Sequence, residues 1–437
     1  MLRGIKLHHF ALMIVFLGAF WTAQDSNAAE RNRLIFISDL HMNVDANYSW
    51  LVDHRDDLAQ FLNGVNTRDD VAELVILGDL LDNWVTPLID PPQAFADILA
   101  ASNNAGIVAA LKAVCRNPNI KVTYVTGNHD MLSFEDQNKV IANAFPGMNI
   151  VSEAPGLGAY TKDDVIWAEH GHPYCLFNAP DTWSLTGSHL PMGYFISRLA
   201  ASKAASTGQV TTTPDLLDLF LKSPSERLKY LKQSKGLQKE DGETGDIFDD
   251  AVIIAVFNAI ALWSGNWPWS QFIMNHLDGY SIDPSVEDVA FTYDTIFSGW
   301  PTRQNRVSQV EAVWNDLGSL ISAANLIFEM PDSLKDKYPF KPRIVLFGHT
   351  HQAAFQYHSA DVDTLYADTG TWIDSNPMTW VEIQITAGND RQKVYEVSLW
   401  FYGEKTPRQK GTITVTTPGK QSCKTWSCWV YEQLLKK

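Results

Sequence analysis

Short apolar runs recur along the chain, and each stops abruptly on a polar signature. Arg33 to Ser38 runs into Asp39, Glu73 to Leu77 into Gly78-Asp79, and Lys121 to Thr126 into Gly127-Asn128. Val165 to Ala168 leads to His170, and Arg343 to Phe347 leads to Gly348-His349. Runs of about four to six β-rich residues bounded by Gly or polar side chains predict buried strands whose ends open into loops. Between the early runs, Leu51 to Leu62 and Ala94 to Val114 carry the apolar spacing and length of helices. Strand and helix therefore alternate, as in α/β or layered α/β/β/α architectures. Three later strand-like segments, Thr364 to Ala367, Thr379 to Ile385 and Lys393 to Tyr402, have no helices between them. They are expected to complete a second sheet packed on the first.

The stretch from Pro173 to Lys341 is different in kind. Ser223-Pro-Ser-Glu226 has the form of a helix start, with Ser223 as cap, Pro224 in the first turn and Glu226 closing a capping box. Lys232 to Asp246 is polar and rich in Gly and Lys, which predicts a loop. No run in this stretch ends in a chemical signature, so it is expected to form an inserted, mostly helical cap. Ala251 to Trp263 is apolar except for Asn258 and suits a buried cap helix better than a membrane span, although contact with a membrane or an acyl chain stays open. Trp263, Trp267, Trp269, Trp300 and Trp314 crowd the same region, where stacking on a base or sugar competes with an ordinary core role.

The start of the chain bears on compartment. Arg3 and Lys6 precede an apolar run from Phe10 to Trp21, and Ser26-Asn27-Ala28 offers the small residues of a cleavage site. About a dozen apolar residues fall short of the roughly 20 that span a bilayer, so a cleaved secretory signal is favoured over an anchor. A periplasmic or secreted protein is expected. The expected organisation is a signal peptide at 1–28, the first part of a core at 29–172, the cap at 173–341, and the second part of the core with the tail at 342–437.

Of 437 residues, 45% are hydrophobic and 19% charged, which excludes a disordered chain. With 34 basic against 50 acidic residues the net charge is −16, so general nucleic-acid binding is not expected and a phosphorylated substrate must be held locally. Four cysteines in an exported chain favour disulfides, and Cys423 with Cys428 is the preferred pair over any involving Cys115 and Cys175.

Five signatures fall at strand ends: Asp39-Leu-His41, Gly78-Asp79-Leu-Leu-Asp82, Gly127-Asn128-His129-Asp130, His170-Gly-His172 and Gly348-His349-Thr-His351. Loops at the carboxyl ends of parallel strands converge on one rim, so five dispersed motifs become one site. Carboxylate, imidazole and amide together suit Mn, Fe, Co, Ni or Zn and do not suit Ca. Residues two apart on an extended segment point the same way, so Asp39 with His41, and His349 with His351, are each expected to face one pocket. Any one of these histidines alone is more often structural, and Asp79 alone could cap a helix. The conjunction is what indicates metal.

As an ordered set, the five motifs resemble the calcineurin-like metallophosphoesterase superfamily, and the chain looks like an exported bacterial member. The resemblance implies a two-sheet sandwich flanked by helices, and hydrolysis of a phosphate mono- or diester by in-line attack of a hydroxide bridging two divalent metal ions. It implies one metal held by Asp39, His41, Asp79 and His351, and a second by Asp79, Asn128, His170 and His349. His129 would stabilise or protonate the leaving oxygen, with Asp82 holding its other ring nitrogen. In the fourth motif both His170 and His172 are placed to reach a metal. His170 matches the family position better, which leaves His172 to face substrate or to support the ligands. Asp82 is followed by Asn83-Trp84, whereas the serine/threonine phosphatase branch continues Asp-Arg-Gly, and this puts phosphoprotein substrates in doubt. Asp368-Thr-Gly-Thr-Trp372 is similar to a segment of many bacterial members and reads either as support for the site or as a plain turn. A phosphorylated small molecule or lipid-like substrate is expected. The competing readings are a phospholipid- or pyrophosphate-cleaving hydrolase and a binding or scaffold protein that retains the fold without turnover.

Overall fold

The computed structural model describes residues 31–208 apart from 45–46, 88–89, 91, 132–134, 153–156 and 181–190, then 316–329, and 340–416 apart from 359–362 and 390. The apolar start, the Ser223 capping box, the 232–246 loop, the 251–263 segment, the tryptophans from 263 to 314 and the Cys423–Cys428 pair lie outside the described residues. Neither Cys115 nor Cys175 is in a disulfide among the described residues.

The five signature-ending runs are all strands. They are β1 (Arg33–Ile37), β2 (Val71–Leu77), β3 (Lys121–Val125), β6 (Ile166–Ala168) and β7 (Ile344–Phe347), with β4 (Met148–Val151) and β5 (Tyr160–Lys162) between the third and fourth. After β7 come β8 (Ala354–His358), β9 (Thr364–Asp368), β10 (Thr379–Ala387), β11 (Gln392–Phe401) and β12 (Gln409–Thr416). A seven-stranded sheet has the order β12-β11-β10-β1-β2-β3-β4, and a five-stranded sheet has the order β5-β6-β7-β9-β8. Strands β1 to β4 are mutually parallel, as are β6, β7 and β9.

One expectation needs correction here. Of the three late segments only β9 enters the second sheet. β10 pairs antiparallel with β1, placing Leu34 opposite Ile383, and β11 follows it into the first sheet. The reason is the open edge of β1: without β10 it would leave a row of backbone N–H and C=O groups unpaired beside the core.

Alternation along β1 divides the two halves of the interior. Leu34 and Phe36 point between the sheets and pack with Ile344, Leu346, Leu365, Val381 and Ile383, while Ile35 and Ile37 point to the other face. That outer face is covered by helix α1 (Arg55–Thr67) and helix α3 (Ala105–Arg116). Asp56 and Asp57 sit in the first turn of α1, where the helix dipole favours them. Leu58, Leu62 and Val65 form its buried stripe. Truncating Leu62 to Ala would cost about 2–5 kcal/mol, the usual range for a filled core site.

The helices begin and break where polar side chains take over backbone groups. Helix α1 starts at Arg55 and not at Leu51, because the Asp374 carboxylate accepts the amides of Val52, Asp53 and His54 at 2.7–3.0 Å. The expected helix from Ala94 to Val114 is split into α2 (Phe95–Ala100), a single tight turn at Ser102–Asn104, and α3. There the Asn104 side chain donates to the carbonyls of Ile98 and Asn43, competing with the helical pattern. Helix α4 (Glu135–Ala144) leads to β4.

Within 173–341 the described residues form a turn at His172–Tyr174 and two helices, α5 (Met192–Thr207) and α6 (Asp316–Glu329). Leu320 of α6 is buried beside Gly171 and Phe347, so α6 lies against the second sheet as the outermost of four layers. No described helix is long and apolar enough to cross a membrane.

Candidate metal centre

The carboxyl ends of β1, β2 and β3 in one sheet, and of β6 and β7 in the other, open on the same rim. Asp39, His41, Asp79, Asn128, His129, His170, His349 and His351 all meet there, and every one is buried. The route to convergence differs from the one the spacing suggests. Asp39 and His41 are not on an extended segment: both have left-handed backbones, with φ of 55° and 49°. Asp79 (51°), His349 (75°) and His351 (57°) share this conformation. For a residue with a side chain it costs about 1–3 kcal/mol and persists only where the surroundings enforce it.

The enforcing contacts are visible. The Asp130 carboxylate accepts the backbone N–H of Leu80 at 2.6 Å, Gly127 at 2.8 Å, Leu81 at 3.2 Å and Asp79 at 3.3 Å. It thereby ties the Gly78-Asp79 turn to the loop after β3. Gly127 is required, because a Cβ there would collide with the Asp79 carboxylate. Asp39 Oδ2 accepts the amide of His349 at 2.9 Å and the Ser38 hydroxyl, while Ser38 also contacts Thr369 at 2.6 Å. Thr371 Oγ1 donates to the Asp39 carbonyl at 2.9 Å, and Asp368 accepts the Thr350 hydroxyl at 2.8 Å. The Asp368 to Trp372 segment therefore supports the site.

The rings of His170, His41 and His129 are each oriented by one nitrogen and present the other. His170 donates from Nδ1 to the Leu77 carbonyl at 2.6 Å, which leaves Nε2 3.2 Å from Asp79 Oδ2 and 2.9 Å from Asn128 Oδ1. His41 Nδ1 bonds Asp82 Oδ2 at 3.0 Å, and its Nε2 faces His351 Nε2 at 3.0 Å. His349 Nδ1 lies 3.1 Å from the same Asn128 oxygen, and Asn178 approaches its Nε2 at 3.3 Å. Asp82 Oδ1 bonds His129 Nδ1 at 2.9 Å. Asp82 thus serves two histidines, where the sequence suggested one. In the fourth motif it is His170 that meets Asp79 and Asn128. His172 lies beside it, its ring 5.3 Å from that of His170 and 6.2 Å from that of His349.

The electrostatics are those of a cation site. Burial opposes ionisation of Asp39, but charge on His170 and the close ring nitrogens of His351 and His41 prevail and hold its carboxyl well below the usual range. Burial likewise opposes ionisation of Asp79, and the charges of His170 and His129 overcome it. Burial disfavours charge on His41 and His170, yet the carboxylates raise them to about 10 and about 9. His349 and His351 are lowered by burial and stay neutral at pH 7, the form that ligates metal. Asp130 is raised to about 6 by burial and by the Asp79 charge.

A divalent ion fits this donor set. Asp39 Oδ1 is buried and has no hydrogen-bond partner, and two ring nitrogens confront each other with it. Asp39–His41–His351, Asp39–Asp79–His170 and His41–Asp79–His129 each place three ligand atoms within 4.8 Å of one another. The last group includes His129, which the sequence places outside the ligand set. Its Nδ1 is taken by Asp82, so only Nε2 is left for any further role.

Sequence reasoning missed Asp130, Ser38, Asn178, Trp50 and the second partner of Asp82. Asp130 carried a signal, being a charged residue inside a quoted motif. Trp50 carried none: it lies in a loop nine residues beyond His41, yet its ring is 4.9 Å from that of His41 and 5.2 Å from that of His129.

The sequence profile described as calcineurin-like phosphoesterase matches residues 32–225. That stretch contains four of the five motifs. His349 and His351 lie beyond it, and the fold alone returns them to the other ligands. The two-sheet α/β arrangement is that of a calcineurin-like phosphoesterase fold. Among solved structures, a dimetal phosphatase from Danio rerio is 11% identical over 89% of this chain and 100% of its own, with a TM-score of 0.34. Vps29 from Chaetomium thermophilum is 7% identical over 90% of this chain and 100% of its own, with a TM-score of 0.24. No curated protein matches the chain.

Proposed function

We propose that this protein is a dinuclear metal-dependent phosphoesterase. The observation that carries the reading is the convergence of buried carboxylates and oriented imidazoles from both sheets on a point where Asp39 Oδ1 has no hydrogen-bond partner. Asp39, His41, Asp79 and His351 would hold one divalent ion, and Asp79, Asn128, His170 and His349 a second, with Asp79 shared. Bound ions would supply charge that activates water and neutralises phosphoryl oxygens.

The chain's own groups do the rest. Asp82 accepts from Nδ1 of His129 and so directs Nε2 as the proton donor. As water adds to phosphorus and the ester P–O bond breaks, a His129 carrying a second proton on Nε2 would give it to the departing oxygen, and the attacking water would yield a proton in exchange. Because Asp82 also holds His41, ligand and acid share one anchor. The substrate is read as a phosphorylated small molecule or lipid-like ester, with access governed by the inserted 173–341 segment. The chain is further read as exported, on the charged start, apolar run and small residues of its first 28 positions. A mature N-terminus near Ala29 would support export with cleavage, and an intact Met1 would mean an anchored form.

The deciding experiment combines metal analysis with a panel of p-nitrophenyl monoesters and diesters, nucleotides and lysophospholipids. Two divalent ions per chain, with hydrolysis lost on chelation and regained on metal addition, is the expected result. Binding of these esters without turnover in the metal-loaded protein would favour the scaffold reading.

A further inference from the structure

A hydrogen bond to one ring nitrogen fixes the in-plane direction of an imidazole but leaves it free to rock about that bond. For His129 the second constraint comes from two residues after Asp82. The Trp84 indole stacks on the imidazole with centroids 4.5 Å apart and planes 30° apart. Trp84 is itself 1% exposed, and its amide donates to the same Asp82 oxygen that holds His129. Asp82 and Trp84 therefore grip His129 by its edge and by its face.

Trp84 is backed from the inserted region. Tyr194 of α5 meets it edge-on at 5.8 Å, and Gly193 packs so closely that a side chain there would press on the indole. One turn further along α5, Arg198 is 1% exposed, and its guanidinium donates to the carbonyls of Pro87 and Asp90 in the loop that follows Trp84. Among the described residues it forms no ion pair with a carboxylate. The guanidinium also donates to the Tyr194 hydroxyl at 3.4 Å, so this buried arginine fixes the helix to the loop and Tyr194 against Trp84.

We infer that Trp84, braced by Tyr194 and Arg198 of α5, is a positioning residue that holds the His129 ring in line for proton transfer to the leaving group. The inference rests on the proposed phosphoesterase activity. It gives the inserted segment a part in the chemistry as well as in access.

The test uses leaving-group dependence, because p-nitrophenolate departs without a proton while phenolate and alkoxides need one. In the metal-loaded full chain, kcat/KM is compared for p-nitrophenyl phosphate and phenyl phosphate in the parent, W84L, W84F, Y194L and, as reference, H129A. W84L should lose roughly tenfold or more on phenyl phosphate beyond its loss on p-nitrophenyl phosphate, a part of the differential loss shown by H129A. W84F should recover most of it, and Y194L should show a weaker version of the same bias. Metal content should stay at the parental level throughout. Equal losses on both esters would overturn the positioning role while leaving the phosphoesterase reading intact. A parent that hydrolyses no phosphate ester would overturn that reading and the inference with it. If W84L fails to fold, Y194L decides alone: a loss biased to phenyl phosphate supports the inference, and its absence overturns it.

Discussion

The three central strands β1, β2 and β3 each begin on one kind of charge arrangement and end on another. At their amino ends the charges are matched. Arg33 meets Asp70 at 2.7 Å and Glu382 at 3.2 Å, and Arg68 meets Asp70 at 2.9 Å and Glu382 at 2.6 Å. The nearly buried Glu73 meets Lys121 at 2.8 Å and accepts from Thr123 and Tyr160. At their carboxyl ends buried Asp39 and Asp79 pair, among the described residues, with imidazoles and with no Lys or Arg, on left-handed backbones that are costly to hold. One end neutralises its carboxylates with permanent cations and gains stability. The other withholds them, keeps a field that favours a cation, and depends on Asp130, Ser38 and Thr371 to bear the strain. The same strands thus separate folding from function along their length.

The contrast is broken most sharply at Asp79. Asp79→Ala removes the carboxylate proposed to be shared by both ions and is expected to abolish hydrolysis and lower metal content at both positions. Elemental analysis with turnover measurement checks this, and two ions per chain with normal rate would refute it. His129→Ala should instead keep both ions and lose about 10²–10⁴ in rate, the scale for a removed proton donor. Loss of metal in that variant would make its proximity to His41 and Asp79 a true ligand contact. Asp130→Ala touches no ligand atom, but frees four backbone amides that fix the Asp79 turn. Metal affinity, read by competition with a chelator, should fall about 10–100-fold, and an unchanged affinity would show that the turn holds itself.

How much of this was legible in the sequence follows from the same contrast. Strand ends were legible because an apolar run stopped by Asp, Asn or His is a local pattern. The seven ligand candidates all reached the rim for that reason. Sheet membership was not legible: the runs of β9 and β10 look alike, and only the open edge of β1 decides that β10 goes there. The split of the expected helix at Asn103 and Asn104 depended on the carbonyls of Asn43 and Val44, some 60 residues away. Trp50 acts through contacts with loops distant in sequence, so composition and spacing were silent about it; Asp130 stood out as a charge in its motif, but its hold on the Asp79 turn some 50 residues away did not. The backbone conformation of Asp39 and His41 was read as extended, since nothing in a two-residue spacing reports a left-handed turn.

The smallest expected effect lies at the matched end. The hydrogen bond from Arg68 holds the Asp70 carboxyl below its usual value, aided by the charges of Arg68 and Arg33 and opposed by partial burial. The unfolded chain, with an ordinary Asp near about 3.9, then binds this proton more readily than the folded chain does. Its contribution to stability is therefore complete above about pH 4 and is lost as pH falls through the lower folded value. Asp70 is 34% exposed at its side chain, so solvent screens the pair and the effect is modest. Asp70→Asn should lower the melting temperature slightly at neutral pH, and the difference from the parent should close below about pH 4. Both proteins are compared after metal removal, so that ligand protonation at the other end affects them equally. Turnover at pH 7 in the metal-loaded variant should match the parent. A loss of activity there would mean that the two ends of the strands are coupled.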